Sequence, residues 1–436
     1  MKLITAYFVK IRHFRHIFDE TVRVYREAVD YFINVCDEHW DDISDISGLK
    51  ARQRFVEKLV HSKGKNIALY DFDDRFCMFP CYLRRAAISD AIGKISSWKS
   101  SLAKWEKNPT GKRPRKPKAG NSFPALYRGN CFREIPGNKY ACEIKVFIRN
   151  TWDWITIELR KSDVDYIERH CASREKKAPS LVKRGKCWNL SFPFEEHKDL
   201  VSSVDTILSV DLGINNACVC TAMTSDGTIL GREFLSLPRE QDSLMHAINR
   251  IKKAQQLGNR KMPRLWAKAK GVNADIASKT AQFIIDTAAY YNVDCIVFEF
   301  LDLNKKKRGS KKQRLHMWKA RAVQRIVTDK AHRLRMRISH VCAWGTSRLA
   351  FDGSGPVVRD ENNYSMCTFQ TGKRYHADLS ASYNIGARYF IRAITKSLPE
   401  TVRLACEAKV PRIAKRSTCT FSDLISLNAE LKKLAS

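Results

Sequence analysis

Three acidic residues stand at the edges of apolar runs in a chain that is otherwise heavily cationic: Asp211 closes ILSVD, Glu299 sits in CIVFEF, and Asp378 falls in HADLSASYN. Taken singly, each has an ordinary explanation. Asp211 could cap the turn that follows, Glu299 could pair with the lysines downstream, and Asp378 could be a helix N-cap. Taken together they share a placement. The first two belong at the C-terminal ends of strands, where open α/β sheets build their sites, and the third at the start of a helix that would face the sheet. Three carboxylates suit hard divalent cations such as Mg²⁺, which prefer oxygen ligands and keep several waters. Two such ions, roughly 3.5–4 Å apart, can activate a water and neutralise the leaving oxygen when a phosphodiester is hydrolysed by in-line attack. Converging carboxylates without cations repel one another, so raised pKa values are expected among them. Gly213 and the asparagines of VDLGINN turn the chain away once Asp211 has been presented.

The composition says what such a site would act on. Of 436 residues, 78 are Lys or Arg and 46 are Asp or Glu, a formal charge of +32. That excess calls for a polyanionic partner. A membrane is the alternative, but no apolar run approaches the roughly 20 residues of a spanning helix, and MKLITAYFVKIRHFRH has no signal-peptide core. Fourteen cysteines are scattered without any CxxC, which favours buried reduced thiols and a cytoplasmic, nucleoid-associated protein rather than a disulfide framework.

The elements that must position the acids follow from periodicity. LITAYFVKI alternates as a strand, and a helical region follows. In it Val22, Tyr25, Val29, Phe32 and Ile33 share one face, and Leu83, Ala87, Ile88, Ala91, Ile95 and Trp98 another. Residues 108–130 are rich in Pro, Gly, Lys and Arg and read as a basic linker. Lys112, Arg113, Arg115, Lys116 and Lys118 would grip phosphates there, with Phe123 and Tyr127 placed to stack on bases. YACEIKVFIR, DWITIEL and KCWNLSFPFE are short strands of a small barrel that the first strand would rejoin. From Thr206 strands alternate with helices, an α/β pattern. A basic helical segment ends near KAKG, and a separate helix, NADIASKTAQFIIDTAAYYN, carries Ile276, Thr280, Ile284, Thr287 and Tyr291 on one face. A second basic run holds Lys305, Lys306, Lys307, Arg308, Lys311, Lys312 and Arg314, placed to draw a single strand toward the acids. Beyond it Trp318, Val323, Ile326, Val327, Ala331 and Leu334 form an apolar helical stripe. Arg359 and Arg374 lie near the third acid and could steady a phosphate.

VDLGINN, IVFEFL and HADLSASYNIGA resemble the three motifs of the RuvC-like nuclease in TnpB proteins and the compact type V CRISPR effectors, and WGTSRLAFDG resembles the segment leading into that family's zinc ribbon. The resemblance is specific over about residues 206–390. It implies an α/β RNase H-like (RuvC) domain preceded by a helical recognition region inserted in a wedge-like β-barrel. The expected segments are 1–15 and 131–203 for the barrel, 16–107 for the helical region, 108–130 for the linker, 204–341 and 376–436 for the nuclease, and 342–375 for a ribbon. It implies catalytic, Mg²⁺-binding roles for Asp211, Glu299 and Asp378. The partners it implies are a guide RNA, double-stranded target DNA and its displaced strand, with the protein acting as monomer or homodimer. The ribbon departs from the family pattern: Ala350 and Gly353 stand at the first ligand pair, and Cys367 and Gln370 at the second. A tetrahedral Zn²⁺ site needs four good ligands, so none is expected to bind. The implied activity is RNA-guided, metal-dependent DNA cleavage beside a short flanking motif. A guided repressor without cleavage, and a guide-free transposase or structure-specific nuclease, are the competing readings.

Overall fold

Alternation in KLITAYFVK makes β1 (Lys2–Lys10), and the strand it needs lies far along the chain. β1 pairs antiparallel with β7 (Cys187–His197) over its whole length, from Lys2 opposite His197 to Lys10 opposite Asn189. The computed structural model describes residues 1–13, 16–109, 111–213, 216–301, 319–415 and 417–435. Two units divide the chain, Lys2–His197 and Lys198–Ser436, the latter with Met1.

Between β1 and its partner, the first unit inserts α1 (Ile17–Glu38), α2 (Trp40–Asp45), α3 (Leu49–Val60), α4 (Phe72–Arg75) and α5 (Cys81–Lys107). The expected faces are the buried ones: Val22, Tyr25, Val29, Phe32 and Ile33 on α1, and Leu83, Ala87, Ile88, Ala91 and Ile95 on α5. β2 (Phe132–Ile135), β3 (Asn138–Ile148) and β4 (Thr151–Glu158) form one antiparallel sheet; β1, β7, β5 (Glu175–Lys176) and β6 (Ser180–Arg184) form another. A bridge from Ile11 to Leu159 links them. A helix the strand pattern did not announce, α6 (Lys161–Cys171), intervenes before β5.

The basic stretch after α5 is laid on the helices rather than tethered loosely. Trp98 donates its indole N–H to the Pro114 carbonyl at 3.2 Å, Asp30 accepts from the Ala119 N–H at 2.7 Å, and Lys116 pairs with Asp37 at 2.8 Å.

The second unit is a five-stranded mixed sheet with helices on both faces. Its strands are β8 (Thr206–Asp211), β9 (Cys218–Thr224), β10 (Ile229–Leu235), β11 (Cys295–Phe300) and β12 (Arg337–Cys342), in the order β10-β9-β8-β11-β12. β8, β11 and β12 run parallel, and β9 is antiparallel to β8 and β10. α7 (Pro238–Gln256), α8 (Pro263–Tyr290) and α9 (Ala320–Arg333) follow in the chain. Leu208, Val210, Cys220, Ile296 and Phe298 share one core with Ala277, Ile284, Val323 and Val327 of α8 and α9. On the opposite face Ile207, Val219, Cys295 and Val297 meet Tyr383, Ile385 and Phe390 of α10 (Ala377–Ser397). α10 approaches closely: a Cβ on Gly386 would lie 2.6 Å from Met223 Cε and 3.3 Å from Ser209 Cβ. β13 (Val358–Arg359), β14 (Met366–Thr368) and β15 (Arg374–His376) make a small antiparallel sheet before α10, and α11 (Glu400–Lys409) and α12 (Phe421–Ala435) follow it.

Three expectations change. The break between α7 and α8 falls at residues 257–262, where Gly258 adopts φ +81°, and Gly271 lies inside α8; one helical glycine costs only about 1 kcal/mol, less than the packing of a long helix returns. Leu334 follows the last turn of α9 and is exposed, so the stripe ends at Ala331, while Trp318 lies outside the described residues. Cys77, Cys81 and Cys342 are exposed, unlike most of the free thiols.

Candidate active site

Strand alternation decides which way the acids face. Asp211 follows Ile207 and Ser209 in period two, and Glu299 follows Cys295 and Val297, so both carboxylates project toward the face covered by α10. Parallel pairing sets Val210 opposite Phe298, which brings the following residues, Asp211 and Glu299, to the same level at the C-terminal edge. Antiparallel pairing continues the row, with Asp211 opposite Val219 and Val219 opposite Phe234. Asp378 enters from above in the first turn of α10.

The electrostatics tie the three together. Asp211 has a pKa well above the usual carboxylate range, first because its carboxyl is buried and then because Glu299 and Asp378 repel its charge, with Arg359 opposing. Burial also raises Glu299, while a hydrogen bond from Thr346 and the Arg388 charge hold it down. Among the described residues no three His, Cys, Asp or Glu side chains are gathered tightly enough to hold an ion. The carboxylates are thus neighbours in charge rather than a closed cage. Their donor chemistry nevertheless fits Mg²⁺: all hard oxygen, and carrying negative charge the surrounding protein leaves incompletely compensated.

Residues that single-sequence reasoning passed over hold the acids in place. The Thr346 hydroxyl donates to Glu299 Oε1. Thr346 is held in turn by Asn384, fully buried on α10, whose Nδ2 donates to the carbonyls of Thr346 at 3.1 Å and Leu349 at 2.9 Å. Asn384 Oδ1 accepts the Phe421 N–H at 3.1 Å. One turn on, Arg388 donates to the carbonyls of Cys342 at 2.7 Å, Trp344 at 2.8 Å and Cys419 at 3.0 Å. At the other end, Asn216 Nδ2 donates to Asp378 Oδ2 at 3.2 Å and lies 3.4 Å from His376 Nε2. Gly213 lies close to Asn216: a Cβ on it would meet the Asn216 carbonyl oxygen at 2.6 Å. The sequence signals for these residues are the motif positions of Asn216, Thr346 and Asn384; nothing in their spacing names their partners.

The remaining candidates are distributed unevenly. Arg359 lies 3.9 Å from Asp378 Oδ1 and donates to the Tyr364 carbonyl at 3.0 Å. Arg374 is instead exposed and paired with Asp360 at 2.7 Å. Lys112, Arg113, Arg115, Lys116 and Lys118 are exposed on the first unit. Phe123 and Tyr127, expected to stack on bases, are half-buried against the helical core: Arg26 lies 4.9 Å over the Phe123 ring, and Tyr127 packs on Tyr82 at 5.5 Å. Lys305, Lys306, Lys307, Arg308, Lys311, Lys312 and Arg314 lie outside the described residues.

At the ribbon positions, Ala350 and Cys367 are buried with Phe369 and Ala377 in an apolar cluster, and the Cys367 thiol donates to the Tyr375 carbonyl at 3.4 Å. Gly353 adopts φ +81°, and a Cβ there would overlap the Ser422 hydroxyl. No described helix is long and apolar enough to cross a membrane.

Residues 5–148 match the Aq_aa04 family. No curated protein matches the chain. Among solved structures, the chain is similar to the mini RNA-guided endonuclease CRISPR-Cas phi3, with 11% identity over 88% of this chain and 92% of that one and a TM-score of 0.52. It is similar also to the protein of a Cas12f1–sgRNA–target DNA complex, with 13% identity over 84% and 81% of the two chains and a TM-score of 0.50. At such identities the likeness is one of fold.

Proposed function

We propose that the protein is an RNA-guided, Mg²⁺-dependent DNA endonuclease with its RuvC-like site at Asp211, Glu299 and Asp378. The observation that carries this reading is the meeting of three acids from β8, β11 and α10 at one sheet edge, where burial first and then the other two acids raise the pKa of Asp211. In a chain of charge +32, such repulsion has a use if the acids hold cations against a phosphate. Asp211, Glu299 and Asp378 would hold Mg²⁺, which when bound supplies an activated water and neutralises the leaving oxygen. Thr346 orients the Glu299 carboxylate, Asn216 orients Asp378, and Arg359 offers a positive group beside Asp378 for the scissile phosphate.

The first unit, with its split strand pairing and exposed basic strap, would act as the wedge and recognition region that grips the guide RNA and its duplex with DNA. In this class base pairing reads the target, while the protein reads backbone shape and a short flanking motif. The likeness in fold to a mini RNA-guided endonuclease and to the protein of a Cas12f1–sgRNA–target DNA complex supports the reading. The test is cleavage of a plasmid carrying a randomised flank beside a matched target, using protein copurified with its native-locus RNA. Cutting that needs both guide and Mg²⁺, and is lost in Asp211→Ala, is the expected result. Tight guided binding without cutting by the unaltered protein would replace this reading with that of a repressor.

A further inference from the structure

The start of α5 breaks an electrostatic rule. Helix starts favour acids and disfavour cations, because their unpaired N–H groups leave partial positive charge there. α5 has no acid in its first turn and no capping side chain from Pro80, yet Arg84 and Arg85 stand close behind its first residue, Cys81. A second cationic group shares the space. Arg54, Lys58 and His61 recur at helical spacing along α3 and just past its end. A turn bridged between Lys63 and Asn66 is fastened to that end, where Asn66 Nδ2 donates to the Lys58 and His61 carbonyls, each at 2.9 Å. These three segments wall a cavity of about 430 Å³, and Cys81 lines it too. Charge within the wall is unbalanced. Glu57 accepts from Arg84 at 3.1 Å and from Arg85 at 3.1 Å, and Asp73 accepts from Arg84 at 3.3 Å. Arg54, Lys58 and Lys63 have no acidic partner among the described residues, so five Lys and Arg side chains of the wall meet two carboxylates. Arg84 is only 5% exposed, and its buried Nε has no hydrogen-bond partner among the described residues.

We propose that this cavity between α3, the turn after it and the start of α5 binds a phosphate monoester, the terminal phosphate of a small phosphorylated molecule. A monoester brings about −1.5 to −2 charges at neutral pH and three acceptor oxygens. That matches an excess of cations gathered at one point, and the planar fork of arginine suits phosphate oxygens. A carboxylate or a phosphodiester brings one charge. A diester must also enter and leave, which suits an open groove, whereas a monoester ends at its phosphate and needs only a concavity. The partial positive charge of a 27-residue helix adds to the same pole. The site lies wholly in the first unit and does not depend on the nuclease reading.

Cys81 reports occupancy directly. Cys77 and Cys81 are both exposed, but only Cys81 lines the cavity. The full chain, freed of nucleic acid and without Mg²⁺, is alkylated with iodoacetamide at constant ionic strength, and the rate at each thiol is read by mass spectrometry. Adenosine monophosphate and inorganic phosphate should slow alkylation of Cys81 saturably and leave Cys77 unchanged, while adenosine and chloride do nothing. Arg84 is too buried for its substitution to separate binding from folding, so the exposed Arg54 and Lys58 are changed instead. Arg54→Gln combined with Lys58→Gln should raise the adenosine monophosphate concentration that gives half protection about tenfold or more, as expected for losing contacts to a charged group. Lys186→Gln, which removes an exposed cation from the turn between β6 and β7, should not change it. A short RNA with a 5′-phosphate, set against the same RNA with a 5′-hydroxyl, separates the sources. Protection by adenosine monophosphate assigns the site to free nucleotides, and protection by the phosphorylated RNA alone assigns it to an RNA end. Equal protection by both RNAs, equal slowing of Cys77, protection by adenosine, or protection by no probe overturns the proposal.

Discussion

Asn384→Ala should unfold the second unit far more readily than its single buried side chain suggests. The amide makes three hydrogen bonds, to the carbonyls of Thr346 and Leu349 and from the N–H of Phe421. It joins three segments that do not otherwise share a strand. At about 1 kcal/mol net for each bond, the loss is about 3 kcal/mol. Orphaning buried backbone groups adds to this, at about 1–3 kcal/mol for each that water cannot reach. A cost of about 3–6 kcal/mol results, a large part of the roughly 5–15 kcal/mol that holds a typical domain together. By thermal unfolding it should appear as a fall of roughly 6–24 °C, since 1 kcal/mol moves a domain of this size by roughly 2–4 °C. Asn428→Ala, which removes one bond to the Ser225 carbonyl, is the control and should cost about 1 kcal/mol. Asn384→Asp adds a pH signature. The new carboxyl can accept from Phe421, but at neutral pH it sets negative charge against two carbonyl oxygens. Its folded-state pKa is therefore raised, and the penalty should shrink as pH falls through that value. Equal costs for Asn384→Ala and Asn428→Ala, or a pH-independent Asn384→Asp, would refute the reasoning.

Asp211→Asn should abolish cutting and raise the thermal midpoint of the metal-free protein at neutral pH. The raised Asp211 pKa means stability is lost as pH climbs through it, so the gain should vanish in acid; a gain of 1 kcal/mol reads as roughly 2–4 °C. Thr346→Val keeps shape but removes the donor to Glu299, and should lower kcat about tenfold or more with restoration by Thr346→Ser, as expected for a hydrogen bond to a charged group. Gly386→Ala should cost about 1–3 kcal/mol in urea unfolding, because the new methyl must displace Met223 and press on Ser209. Metal analysis of the purified protein should find no stoichiometric zinc, since a side chain at residue 353 has no room beside Ser422 and Ala350 and Cys367 are packed among apolar groups.

Much of this site is legible in one dimension because strands and helices write their periods locally. An apolar run ending at Asp211 or Glu299 states both the strand and the edge where the acid sits, and HADLSASYN states a helix with an acid in its first turn. The charge excess likewise needs no coordinates to call for a polyanion. Other features depended on residues far apart in the chain. The bond between Thr346 and Glu299 spans 47 residues and that between Asn216 and Asp378 spans 162; no period records a contact of that kind. Arg359 and Arg374 look equivalent in sequence, yet only Arg359 lies beside Asp378, because β13 ends there and Arg374 meets Asp360 first. Phe123 and Tyr127 read as free stackers among cations until the strap is laid on the helical core, where burying each ring is worth more than leaving it in water. The sequence by itself determined which groups can do chemistry and the elements that carry them. Only the folded chain decided which of those groups meet, because hydrogen bonds and packing act through space while periodicity acts along the backbone.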